Sequence, residues 1–169
     1  KNKKNYELTG KIFDGTNLVN QILESDSEEN VFYRLNDFNS VVKISFNKIF
    51  IDDINYLNNL SGNIKFNKSI LKNLDLKANF SDNKNLTFTV KTDSNNQKIT
   101  TLFSEYAKPL VKKYKFIKGF EEGYLDFYSV KKNNTSNSNL KINDFKLKEL
   151  PALTKILTLA SLQGIADLL

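Results

Sequence analysis

The feature that most constrains this chain is a period of two in its apolar residues, repeated in segment after segment. Val42, Ile44 and Phe46 alternate with Lys43, Ser45 and Asn47. Leu74, Leu76, Ala78 and Phe80 alternate with Asp75, Lys77 and Asn79, and Leu86, Phe88 and Val90 with Thr87, Thr89 and Lys91. Successive side chains on a strand point to opposite faces, so each segment reads as a strand with one apolar and one polar side. Leu60, Ile64 and Phe66, with Gly62 among them, make a further strand, and 6–13, 99–103, 120–130 and 140–147 are less regular candidates. Ile49 and Ile51 continue the run from Val42 with shifted parity, which predicts a bulge or bend near Asn47 and Lys48.

The connections are short and polar: Asn58 with Asn59, Asn67 with Lys68, 81–83 and 93–96. Strands joined in this way predict an antiparallel meander. Three helices are expected. The first runs over 17–24, capped by Thr16, with Leu18, Ile22 and Leu23 on one side; the second over 105–114, capped by Ser104, where Pro109 marks a kink or the first turn of a later start. The third runs over 149–169 with Pro151 near its first turn, about 30 Å long. Its apolar stripe is Leu153, Ile156, Leu157, Ala160, Ile165 and Leu168, widened by Leu159 and Leu162.

The expected fold is therefore mainly β with a few helices (α+β): a strongly curved antiparallel sheet forming an apolar groove, with the C-terminal helix packed on it or capping it. The expected wall is Val42, Ile44, Phe46, Ile64, Phe66, Leu74, Leu76, Leu86, Phe88 and Val90. So few helices leave an apolar sheet face that needs a second sheet, a partner or an apolar ligand. The same residues serve equally as a sealed core, and periodicity alone does not separate the two.

Composition narrows the chemistry. The 169 residues suffice for one domain with a core, and they contain no Cys, His or Met. The chain begins at Lys1 and ends in an apolar run at Leu168 and Leu169, so it is expected to be a piece of a longer protein. Without Cys and His there is no disulfide, no thiolate metal site, and neither the commonest general base nor the commonest metal ligand. Ser161 has no His to activate it. Glu28 with Glu29, Asp52 with Asp53, and Glu121 with Glu122 are adjacent, which on a strand sends the two carboxylates to opposite faces. Asp52, Asp53 and Asn55 lack the spaced ligands and glycine of a calcium loop, and the six glycines are scattered singly. The chain is read as a non-enzyme without metal or cofactor.

The net charge of +6 is almost wholly lysine, with Arg34 the sole arginine. The clusters at Lys1, Lys3 and Lys4, at Lys112, Lys113 and Lys115, and at Lys131 and Lys132 are short and interspersed with acids. They read as a solvated surface, and no nucleic-acid partner is expected. No run of 18 uncharged apolar residues is present.

The C-terminal third carries a resemblance. Ile142, Asp144 and Phe145 end a strand and lead into Pro151, Ala152, Leu153, Ile156, Leu157, Ala160, Ser161, Leu162 and Gly164. This resembles the AsmA-like family, in particular the C-terminal domain of its YhdP-type, TamB-related members. There a strand ending I-x-D-F runs into x-P-A-L-x-x-L-L-x-L-A-S-L-x-G. Upstream, Ser104, Pro109 and Leu110, followed by Gly119, Gly123 and Leu125, look like the family's short helix and its G-G-x-L strand, with Glu122 in place of the first glycine of that pair. The resemblance covers 100–169 and extends to a domain over 31–169, with 1–30 as the end of a preceding β-groove segment.

The resemblance implies a long protein of the Gram-negative envelope, anchored to the inner membrane by an N-terminal segment and crossing the periplasm. It implies an apolar groove that carries phospholipid between inner and outer membranes in outer-membrane biogenesis. The implied partners are phospholipid acyl chains and the two membranes; no catalytic residue or cofactor comes with the family. Two other readings stay open: a structural β-sandwich scaffold, and a periplasmic assembly factor that binds outer-membrane protein strands along an open sheet edge.

Overall fold

The computed structural model describes residues 4–17, 38–68, 70–80, 83–113, 119–133 and 135–148. Among them are β1 (Lys4–Asp14), β2 (Ser40–Phe50), β3 (Tyr56–Asn67), β4 (Ile70–Asn79), β5 (Asn85–Thr92), β6 (Lys98–Ser104), a short helix α1 (Lys108–Lys113), β7 (Phe120–Lys132) and β8 (Thr135–Leu147). The strands form one eight-stranded sheet in sequence order, so the protein is mainly β. The predicted helix at 149–169, with Leu153, Ile156, Leu157, Ala160, Ile165 and Leu168, lies outside the described residues, as does the predicted 17–24 helix beyond Asn17.

From β2 to β8 the sheet is the expected antiparallel meander. β1 corrects the all-antiparallel expectation: it runs parallel to β2, from Lys4 opposite Ser40 to Asp14 opposite Phe50. Parallel neighbours need a crossover of roughly a dozen residues or more, and the stretch between Asp14 and Ser40 is long enough to be one. At its start the Asp14 carboxylate accepts the Thr16 amide at 3.0 Å, which holds that carboxyl below its usual range. Asp14 thus serves the Thr16 amide, and the amides that a Thr16 cap would serve lie outside the described residues.

Two other local expectations change. Asn58 and Asn59 do not turn the chain but lie inside β3. The β2–β3 turn is instead built on Asp52, whose Oδ1 accepts the amides of Ile54 (2.9 Å) and Asn55 (2.7 Å). Ser104 is not the helix cap either. It is fully buried, with its hydroxyl bonded to the Tyr106 amide and carbonyl, and α1 starts four residues later with Pro109 in its first turn.

The bend expected near Asn47 is a change of face made by β1, β2 and β3 together. Phe46 and Ile49 are both buried on β2, and Leu57 and Leu60 on β3, although each pair is three residues apart. The β2–β3 register stays constant through this region, with Phe46 opposite Leu60 and Ile49 opposite Leu57. Asn59 supplies the rotation in a left-handed conformation (φ 53°), which Asn tolerates better than most residues. β3 then slips against β4 between Asn58 and Ser61, a bulge that confines the change to one side. A second such site lies at the same end of β7 and β8, where Glu122 (φ 61°), Gly123 (φ 84°) and Asp144 (φ 53°) are all left-handed. It lets Phe120 and Leu125 share a core, with the Phe120 ring stacked on Phe145 at 5.3 Å.

The core gathers at this end of the sheet. One cluster joins Phe46, Ile49, Ile51, Leu57, Leu60, Ala78, Phe80 and Leu86. A second joins Ala107 and Val111, at α1, to Phe120 and Leu125 of β7. Leu102 and Leu110 pack against both clusters and bridge them.

Two substitutions test this backbone. A methyl group at Gly62 would stand 1.9 Å from the Asp75 carbonyl oxygen, a backbone atom that cannot move without opening β3–β4. Gly62→Ala is expected to lower unfolding stability by about 1–3 kcal/mol, while Ser61→Ala beside it changes little in the same denaturant titration. Glu122→Gly is expected to fold normally and gain up to about 1 kcal/mol, because glycine occupies a left-handed position without strain.

Candidate functional site

The site is the apolar face of the sheet, and cross-strand register defines it row by row. The middle row runs Leu8, Ile44, Gly62, Leu76, Phe88, Leu102, Phe127, Leu140, one residue from every strand and none of them polar. The next row begins Tyr6, Val42, Ile64, Leu74, Val90 and then turns polar at Thr100, Ser129 and Ser138. Toward the core end Phe46, Leu60, Leu86, Leu125 and Ile142 share the same face.

All the wall residues expected from the alternation fall on this one face. They are not equally open: Phe46, Phe66, Leu74, Leu86 and Val90 are buried, and Val42, Ile44, Ile64, Leu76 and Phe88 are half-buried. Phe38, just before β2, sits edge-on to Phe66 at 5.4 Å and stacks on Tyr6 at 5.6 Å, so the chain enters β2 across this side of the sheet. The face also extends further than expected. Tyr6 and Leu8 of β1, Leu102 of β6, Leu125 and Phe127 of β7, and Leu140 and Ile142 of β8 belong to it. Their alternation with Asp126 and Lys141 was the available signal, but a parity count cannot order strands without the pairing.

Across its middle the opposite face is polar over β1–β5 apart from Val41, with Lys43 3.5 Å from Glu7 and the Thr89 hydroxyl 2.6 Å from that of Thr101, and beyond the change of face it carries Phe50 and Tyr56. Over β6 and β7 it departs from the expected clean polarity, since Ile99, Phe103, Val130 and Tyr128 all lie on it.

The two ends of the apolar face differ in chemistry. At the core end α1 sits over β6–β8, Ala107 donating its amide to the Gly123 carbonyl at 2.8 Å. Lys108 of α1 and Lys148 after β8 both reach Glu121 of β7. The Lys108 hydrogen bond, and then Lys148, hold the Glu121 carboxyl below its usual range, and the same bond raises Lys108. At the other end Lys98 lies directly opposite Lys131 on the apolar side, beside buried Ser129. Burial first, and the Lys131 charge second, push Lys98 down. Among the described residues no group of three or more His, Cys, Asp or Glu gathers as a metal site, and no described helix is long and apolar enough to cross a membrane.

Comparison with protein-family models, curated proteins and solved structures finds no significant match for this chain.

The Glu121 contacts set a pH dependence. A carboxyl depressed in the folded state stabilises above its unfolded pKa, and that contribution fades as pH falls through the folded value. The raised Lys108 acts in the opposite window, losing its contribution as pH rises through its folded pKa. Glu121→Gln is therefore expected to melt below the native protein at neutral pH. The gap should close both well below the carboxylate range and above the lysine range, as read by thermal unfolding across pH.

Proposed function

We propose that this chain is a segment of a periplasm-spanning, bridge-like protein that carries phospholipid between the inner and outer membranes and supports outer-membrane biogenesis. It acts by binding and not by catalysis, and the protein is held at the inner membrane through another part of its length. The observation that carries the reading is the uninterrupted apolar row from Leu8 to Leu140. At roughly 4.8 Å between strands, that row extends about 34 Å across the sheet. An acyl chain gains about 0.8 kcal/mol for each methylene removed from water. Neighbouring positions on such a row offer similar gains, so a chain slides along it without a deep trap while its headgroup stays in solvent.

The resemblance to the AsmA-like family points the same way, and one backbone detail supports it. The family's G-G-x-L strand has its first glycine where this chain has Glu122, and Glu122 adopts a left-handed φ of 61°. The position asks for what the family's glycine provides. The β-sandwich alternative needs a second sheet, whereas the described strands make a single sheet. The assembly-factor reading draws on β8, an exposed edge strand of 13 residues.

A charge on the apolar row should block lipid passage. Phe88→Asp is expected to reduce lipid transfer between vesicles at least tenfold, since a buried carboxylate costs several kcal/mol to desolvate. Ser45→Asp, exposed on the polar face, should leave transfer near native. It is a cleaner control than Thr89, whose hydroxyl is bonded to Thr101. Equal transfer by two folded variants would overturn the carrier reading, and lipids co-purifying with the native chain, identified by mass spectrometry, would support it.

A further inference from the structure

We propose that Lys98 and Lys131 form a headgroup site that selects lipids with a net negative, phosphate-bearing headgroup, the acyl chains lying on the adjoining apolar row. The inference rests on the carrier reading and adds to it a chemical preference. Lys98 and Lys131 are direct cross-strand partners, an arrangement that like charges normally avoid. Both are half-buried on the apolar side, whereas Lys132, one residue on, is exposed on the other. Neither has a carboxylate within ion-pair distance among the described residues. The acid of the adjoining turn, Asp93, has its Oδ1 committed to the amides of Asn95 and Gln97, both at 2.8 Å. A pair of lysines facing each other without a counter-ion is a site that an anion completes.

The surroundings specify what kind of anion. Ser129 lies buried beside the pair, its hydroxyl 2.8 Å from that of Ser138 and 3.1 Å from that of Ser136, and Thr100 stands opposite it. The two bonds use two of the three serine protons, which leaves one serine hydroxyl and that of Thr100 to donate to phosphate oxygens next to the two ammonium groups. Two residues further along each strand the face becomes Leu102, Phe127 and Leu140. Cations, then hydroxyls, then hydrocarbon follow one another in the order of an acidic phospholipid read from headgroup to tail. A free anion would have no use for the last part of that sequence.

The test is calorimetric titration of the full chain with single lipid molecules below their micelle concentration: dihexanoylphosphatidylglycerol, dihexanoylphosphatidylcholine, and inorganic phosphate alone. The native chain is expected to bind the phosphatidylglycerol about tenfold more tightly than the phosphatidylcholine, and phosphate far more weakly than either. Lys98→Gln with Lys131→Gln should bring the acidic lipid to the level of the zwitterionic one without changing the latter. Lys131→Gln alone should remove part of the preference, and Lys132→Gln none of it. Equal binding of the two lipids by the native chain, or a preference that survives the double substitution, would overturn the headgroup site and leave the carrier reading standing. Phosphate competing as well as the acidic lipid would overturn it in favour of a free-anion site. Binding of neither lipid would overturn both.

Discussion

Everything distinctive about this sheet depends on strand register. The apolar face is not a property of any one strand, because every strand mixes polar and apolar positions. It exists because hydrogen-bonded partners in the middle of the strands stay in phase from β1 to β8, so that Leu8, Ile44, Leu76, Phe88, Leu102, Phe127 and Leu140 meet on one line. A slip of one residue anywhere would turn that strand's apolar set to the other side. At the core end, alternation changes face in neighbouring strands in concert. β1, β2 and β3 keep their register through the change at Asn59, which is taken up by the slip of β3 against β4, and β7 and β8 keep theirs through Glu122, Gly123 and Asp144.

Both changes fall at the same end of the sheet, and they explain why the core is there. Side chains that would otherwise alternate are brought to one side in close succession, Ile49 after Phe46 and Leu57 before Leu60. With α1 set over β6–β8, this end becomes a packed structural unit. The opposite end carries Phe38 against Tyr6 and Phe66 over β1–β3, and over β6–β8 the face there runs out into hydroxyls and lysines. Over β6 and β7 the sheet is thus graded along its strands: packed in hydrocarbon at one end, apolar across its middle and cationic at the other.

Much of this was legible in the sequence, for a physical reason. Period-two alternation is a direct image of strand geometry, so the strands near Val42, Leu74 and Leu86, and the parity break after Phe46, could be read without coordinates. The meander followed from short polar turns such as Asp93 to Gln97. What escaped was information held between segments. Asn58 and Asn59 look like a turn by composition, and only the register against β2 and β4 makes them a bulge. β8 begins at Thr135, five residues before its first apolar side chain, because pairing with β7 and not burial keeps Ser136 to Asn139 extended. The face's continuation onto β6–β8 and the Lys98–Lys131 pair were invisible for the same reason. Lys131 and Lys132 read as a surface charge cluster until pairing sends them to opposite sides.

The parallel pairing of β1 has a consequence for how the chain assembles. From β2 onward every strand meets its predecessor across a short connection, except at β6–β7 where α1 intervenes, so most of those pairings carry little loop-closure entropy and can form progressively. β1 is the exception: it cannot find its place until β2 has been made and a loop of two dozen residues has closed behind it. Its strand is exposed along almost its whole length, so little burial rewards that closure. β1 is therefore the last strand to be seated and the first to be released. At that edge the sheet is held chiefly by its ladder of backbone hydrogen bonds, and a strand detached there would uncover β2 as a new edge for pairing.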